Sequence, residues 1–202
     1  MPTERLFIAI KPPDVDRHEL YAYATAISSQ VQEGTLRPMK EENLHITLHF
    51  LGDVDVTRID SLRSLIELAI RREGLSSFSV TTDAVGFFPS RSKPRVVQIG
   101  IIPSPELHSL HEKLAEALAA EGFAVENRRY RPHITLAKLG RRTPAQSVAN
   151  IRQRFEGGLS QPLTFLAESM HVISSELTPQ GSIYTDAAVI KLGDRPGQAT
   201  GR

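Results

Sequence analysis

The sequence predicts a fold of mixed strands and helices built as two related lobes, and three observations predict it. The order strand, helix, strand, helix, strand, strand runs through the chain twice. Both third elements carry the tetrapeptide HITL, at His45–Leu48 and at His133–Leu136, 88 residues apart. The flanks repeat as well: Arg5 and Arg95, opening RLFIAI and RVVQIGI, are 90 residues apart, and Phe78 and Leu163, opening later strands, are 85 apart. A four-residue coincidence does not bring matching flanks with it. The pattern reads as an internal duplication, about 4–90 and 94–192, inside one domain of 1–193.

Each element has a local reason. ERLFIAIK is a short apolar strand, and DVDRHELYAYATAISSQVQEG a helix with an acidic start and a stop at Gly34. NLHITLHFLG alternates and ends on glycine, as a strand does. Ile59, Leu62, Leu65, Ile66 and Ala69 fall at helical spacing before Gly74. FSVTTDAVGFF and RVVQIGII are strands around the loop PSRSKP. In the second round PSPELHSLHEKLAEALAAEG is a helix with Pro105 in its first turn. RPHITLAKL is a strand, TPAQSVANIRQRFEGG a helix, and LTFLAESMHVISSEL and SIYTDAAVIKL strands joined by the turn TPQGS. Residues 194–202 are expected to be a disordered tail.

Composition removes several chemistries. There is no cysteine among 202 residues, which excludes disulfides, thiolate metal sites and cysteine nucleophiles. The apolar run Leu6–Ile10 is too short for the core of a signal peptide, and no segment has the length to span a bilayer. A soluble cytoplasmic protein is expected. No G-x-S-x-G, Walker A or dinucleotide glycine pattern is present. Net charge is only +1, yet Asn127 to Phe155 holds no acid and eight bases: Arg128, Arg129, Arg131, Lys138, Arg141, Arg142, Arg152 and Arg154. Arg91, Lys93 and Arg95 form a second acid-free cluster. The first patch surrounds the second HITL, which favours an anionic ligand there.

On a strand, side chains alternate between faces, so His45 and Thr47 share one face and Ile46 and Leu48 the other; His133 and Thr135 repeat this. Two such faces meeting would make a cleft of two imidazoles and two hydroxyls. That set suits cleavage of a phosphodiester. A neutral imidazole takes a proton from water while a charged one gives a proton to the leaving oxygen, each worth about 10²–10⁴ in rate. Threonine hydroxyls donate to the non-bridging oxygens, where charge accumulates. His49 shares the His45 face in a straight strand, and the plainer alternative for it is a rim histidine in solvent. His108 and His111, spaced to share a metal on a helix, lack a third ligand nearby and are expected on its solvent side.

These residues resemble the two-histidine phosphoesterases, specifically the bacterial and archaeal RNA 2′,3′-cyclic phosphodiesterases, also called 2′–5′ RNA ligases. The likeness runs from about Arg5 to Leu192, through RLFIAI, ENLHITLHFLG, GFFPSRSKPRVVQIGI, RPHITLAKL and SSELTPQGSIY. It implies a bilobal α+β fold, with two antiparallel-rich sheets lining a central groove and helices packed outside. It implies opening of a 2′,3′-cyclic phosphate to a 2′-phosphate with no metal, ATP or other cofactor, and reversible 2′–5′ joining of RNA ends as a weaker activity. Carried over, His45 is the proton donor to the leaving 3′-oxygen, His133 is the proton acceptor from water, and Thr47 and Thr135 hold the phosphate. The near-symmetry of the motifs leaves those two roles exchangeable. Arg131, Arg95, His49, Phe50 and Tyr184 are candidate substrate-binding residues. His49 departs from the family's habit of a small or apolar residue there. The implied partner is RNA ending in a 2′,3′-cyclic phosphate, tRNA fragments included, acted on by a monomer away from membranes. Two rival readings remain: a phosphodiesterase of small cyclic nucleotides or ADP-ribose cyclic phosphate, and an RNA-binding module without turnover.

Overall fold

The computed structural model describes residues 2–126, 129–178 and 181–194. Arg128 of the basic run, Pro179 and Gln180 of the predicted turn, and all but the first residue of the predicted tail lie outside the described residues. The strands are β1 Thr3–Ile10, β2 Leu36–Pro38, β3 Ile46–Asp55, β4 Phe78–Phe88, β5 Val96–Ile101, β6 His133–Leu139, β7 Thr164–Ala167, β8 Ser169–Thr178 and β9 Gly181–Lys191. The helices are α1 Asp14–Ser28, α2 Ile59–Glu73, α3 Pro105–Ala120 and α4 Ala145–Phe155.

The helices form where apolar spacing and end chemistry agree. α2 buries Leu62, Ile66, Ala69 and Ile70 and stops at Gly74, whose φ of 61° is the left-handed turn that glycine takes without strain. α3 buries Leu107, Leu110, Leu114 and Leu118; the Ser104 hydroxyl accepts from the Leu107 N–H, and Pro105 occupies the first turn. α1 ends at Ser28 rather than running to Gly34, because the chain turns to lay down β2, a strand the local pattern did not predict. Three residues give almost no periodic signal, and their reason is distant: Leu36 to Pro38 pair with β6 from Leu139 to Ala137.

The strand order is β7-β4-β5-β6-β3-β1-β8-β9, with β2 also on β6, and every strand pair is antiparallel. The order reads the same outward from the β6–β3 junction: β5 then β4 on one side, β1 then β8 on the other. The lobes are therefore not the two sequence halves. β4, from the first half, pairs with β5, and β8, from the second, pairs with β1. The predicted strand 163–177 is broken at Glu168 into β7, which pairs with β4, and β8, which pairs with β1.

One face of the curled sheet is closed by the helices. Ile8, Ile10, Ile46, Ile99 and Ile134 are at most 1% exposed and share a core with apolar residues of all four helices. Phe7, Ala9 and Ile173 form a smaller cluster on the other face, with Tyr184 against it. The α+β bilobal architecture is the expected one. The meeting of the lobes is not: the HITL strands do not face each other across a cleft. They lie side by side, joined at the pair Ile46 with Ile134.

Candidate active site

That pair sets the site. Both isoleucines point into the core at 0% exposure, so their neighbours His45, Thr47, His133 and Thr135 are carried to the opposite face. In an antiparallel register through Ile46 and Ile134, His45 lies level with Thr135 and Thr47 with His133. Two imidazoles and two hydroxyls thus occupy one small patch of the open face.

Each histidine is aimed by the same backbone device. His45 Nδ1 lies 2.7 Å from the Asn43 carbonyl, and His133 Nδ1 lies 2.9 Å from the Arg131 carbonyl, in both cases two residues back. A carbonyl only accepts, so Nδ1 carries the hydrogen and Nε2 is the nitrogen left for chemistry. The Thr47 hydroxyl is 3.1 Å from His45 Nε2 and donates to it while the ring is neutral. Asn43 is itself buried, 7% exposed, and its side-chain amide donates to the Ser182 carbonyl at 3.3 Å. This ties the approach to His45 to β9.

The walls around His45 are aromatic. Its ring centroid lies 4.9 Å from Phe7 and 5.5 Å from Tyr184, which meets it edge-on. Phe50, 49% exposed, lies 5.9 Å from Phe7. Burial pushes the His45 pKa down to about 4; the bond to the Asn43 carbonyl opposes this, and the positive charges of Lys11, His133 and Lys138 add to it. His45 is therefore neutral near pH 7. Lys11 donates to both oxygens of Asp186, at 2.7 and 2.9 Å, and His171 Nδ1 lies 3.3 Å from the same carboxylate.

The other sequence-predicted residues divide. Phe50 and Tyr184 stand at the His45 wall. Arg131 supplies its carbonyl to His133, and its guanidinium is exposed with no partner among the described residues. Arg95 does not reach the patch: its guanidinium donates to the Arg141 carbonyl at 2.8 Å and clamps the loop after β6. His49 does not share the His45 face and is no rim histidine. Ala9 pairs with Thr47 and Ile8 with His49, so Leu48 is an extra, bulged residue that reverses the alternation. His49 follows Ile8 into the core, 3% exposed, with Nε2 donating to the His111 carbonyl at 2.8 Å. His111, expected in solvent, stacks on His49 instead.

Sequence reasoning missed Asn43, Phe7 and Lys11. Asn43 had a signal, since it stands two residues before His45 as Arg131 does before His133. Phe7 alternates with the buried Ile8 and so belonged to the open face.

A profile of the 2′-5′ RNA ligase superfamily matches residues 18–179, both motifs included. The chain belongs to that superfamily. The RNA 2′,3′-cyclic phosphodiesterase of Thermotoga maritima is 32% identical over 150 residues, 72% of this chain and 74% of that protein. The one from Archaeoglobus fulgidus is 29% identical over 187 residues, 93% and 99% of the two chains. E. coli LigT complexed with 3′-AMP superposes with a TM-score of 0.69 at 25% identity, covering 95% of this chain and 99% of that one. TT0787 of Thermus thermophilus, at 24% identity and a TM-score of 0.72 over 94% and 98%, shares the superfamily's fold.

Proposed function

We propose that this superfamily member hydrolyses RNA 2′,3′-cyclic phosphate ends to 2′-phosphates. The observation that carries the reading is the Ile46–Ile134 junction, which puts two HxT units on one face with both imidazoles held Nε2-outward. The curated relatives bear the matching name over most of the chain. One imidazole takes a proton from the attacking water, the P–O3′ bond breaks, and the other gives its proton to the 3′-oxygen. Thr47 and Thr135 donate to the non-bridging oxygens as their charge grows. When the 5′-hydroxyl of a second RNA attacks in place of water, P–O5′ forms as P–O3′ breaks, which leaves a 2′–5′ linkage; its reversal to the cyclic phosphate exchanges the acid and the base.

The role carried over for His45 is proton donor, whereas burial holds that ring neutral. Substrate binding reconciles the two. A phosphate monoanion against Nε2 offsets the burial, so the proton enters with the RNA end. The exposed Phe50 and the Tyr184 ring support a stacked terminal base, and Arg131 with Lys138 support the neighbouring phosphates. No helix among the described residues is long and apolar enough to cross a membrane, and the reading places the enzyme in the cytoplasm.

The test is cleavage of a short RNA ending in a 2′,3′-cyclic phosphate, with EDTA present, by wild type, His45→Ala and His133→Ala. A 2′-phosphate from wild type alone is the expected result. Equal product from all three, or none from any, overturns the reading.

A further inference from the structure

Three rings form a column under the sheet, on the core side of the two motifs. His49 stacks on His111 with centroids 4.3 Å apart at 24°, and His111 stacks on Tyr130 at 3.9 Å and 16°. The column joins three elements. His49 lies on β3 four residues after His45, His111 lies on α3, and Tyr130 lies three residues before His133. Tyr130 is also the residue before Arg131, whose carbonyl holds His133 Nδ1–H.

The column stands where the strands need it. Among the described residues, β3 and β6 share the single register pair Ile46 with Ile134. On one side of that pair β2 continues the pairing, with Pro38 opposite Ala137 and the Met39 N–H donating to the Leu136 carbonyl at 2.8 Å. On the other side no register pair joins β3 to the approach to β6 among the described residues. His49 lies three residues past Ile46, and Arg131 three residues before Ile134. The His111 ring fills that interval and binds each flank by stacking.

Its chemistry suits a rigid spacer. His49 is fixed at Nε2 by the His111 carbonyl, and the His108 ring meets Tyr130 edge-on at 6.3 Å. The Tyr130 hydroxyl is buried without a hydrogen-bond partner among the described residues, so ring packing holds it in place. The matching position to His49 in the second half is Ala137, by the paired bulges at Leu48 and Leu136. The column is thus a feature of one side only.

We propose that His49, His111 and Tyr130 are positioning residues that set the direction of the His133 imidazole relative to His45, acting through the Arg131 carbonyl. This rests on the cyclic phosphodiesterase reading for its kinetic consequence. Its structural consequence, the Nδ1–H tautomer of His133, does not.

The experiment compares His111→Ala, His111→Phe and Leu118→Ala, the last weakening the same helix outside the column. Each is measured for urea unfolding, for kcat and KM on the RNA cyclic phosphate, and for the ¹⁵N shifts of the His133 ring. His111→Ala is expected to lower kcat about 10- to 100-fold with KM changed less than about twofold, and to mix the His133 tautomers. His111→Phe, which keeps a flat ring, restores most of kcat and the single tautomer. Leu118→Ala loses stability while kcat and tautomer stay as in wild type. Should His111→Ala not fold, Tyr130→Leu removes the last ring and is read in the same way. Wild-type kcat and tautomer in a folded column variant would overturn the proposal, as would an equal loss of kcat in Leu118→Ala. A wild type inactive on the RNA refutes the substrate reading alone, and the tautomer comparison still decides the column.

Discussion

The two sides of the site share a backbone and differ in their walls. In the first half Phe7 pairs with Phe50 and Ala9 with Thr47; at the matching places in the second, Val96 pairs with Lys138 and Gln98 with Thr135. Both halves carry the bulge at the HITL leucine, and both aim their histidine through the carbonyl two residues back. An aromatic pair therefore stands where the other side has an aliphatic residue and a cation. The repeated backbone supplies the placement of two equivalent imidazoles. The side chains around them make His45 an apolar-walled, neutral ring, while Lys138 brings positive charge to the shared patch. Equivalent positions with unequal surroundings are what acid–base division of labour needs.

The strongest challenge to this contrast is kinetic. His45→Ala and His133→Ala are each expected to lose about 10²–10⁴ in rate, and the double variant little more than either. A phosphodiester with a nitrophenolate leaving group separates the roles, because that group departs without a proton. Recovery with His45→Ala keeps it as the donor, and recovery with His133→Ala reverses the assignment. Next in size is the shared junction. Ile46→Ala and Ile134→Ala should each cost about 2–5 kcal/mol in urea unfolding, since both are 0% exposed. A marked inequality would show that the two halves do not hold the seam alike.

The pH dependence of stability probes the wall itself. The His45 pKa lies near 4 in the fold and near 6.5 in an unfolded chain. The unfolded state binds more protons between those values, so this contribution is complete above about pH 6.5 and lost as pH falls toward about 4. His111, pushed down to about 4 by burial and by the charges of His49 and His108, acts in the same direction. His45→Gln should flatten the fall in melting temperature across that window, and an unchanged slope would contradict the buried, neutral ring. The smallest effect is expected at the residues two places before the histidines. Asn43→Ala should cost about 0.5–1.5 kcal/mol through its lost bond to Ser182. Arg131→Ala, exposed, should stay within about 0.5 kcal/mol. Reversed magnitudes in urea unfolding would mean the two approaches are braced differently.

Much of this was legible in the residues. Alternation located the HITL strands and put His45 with Thr47 and His133 with Thr135. Leucine spacing, Ser104, Pro105 and Gly74 marked α2 and α3. The error at His49 has a physical cause: H-I-T-L-H alternates without fault, and the bulge at Leu48 arises only from the register with β1. Arg95 was read from the charge of its neighbourhood, whereas its partner is a carbonyl 46 residues away in sequence. β2 and the break at Glu168 are likewise consequences of pairing with distant strands. What local pattern cannot carry is register.

The exchange of strands between the halves governs the order in which the chain is able to fold. Leu6 meets Ser174 and Ala9 meets His171, so β1 has no outer neighbour until nearly the whole chain has been synthesised. β4 and β5, adjacent in sequence, complete their pairing far earlier. With emergence at about 5–20 residues per second, the apolar RLFIAI segment waits about ten to thirty seconds for β8. The lobe that houses His45 is thus the last to close, and its opening strand is the segment a nascent chain most needs to keep from pairing elsewhere.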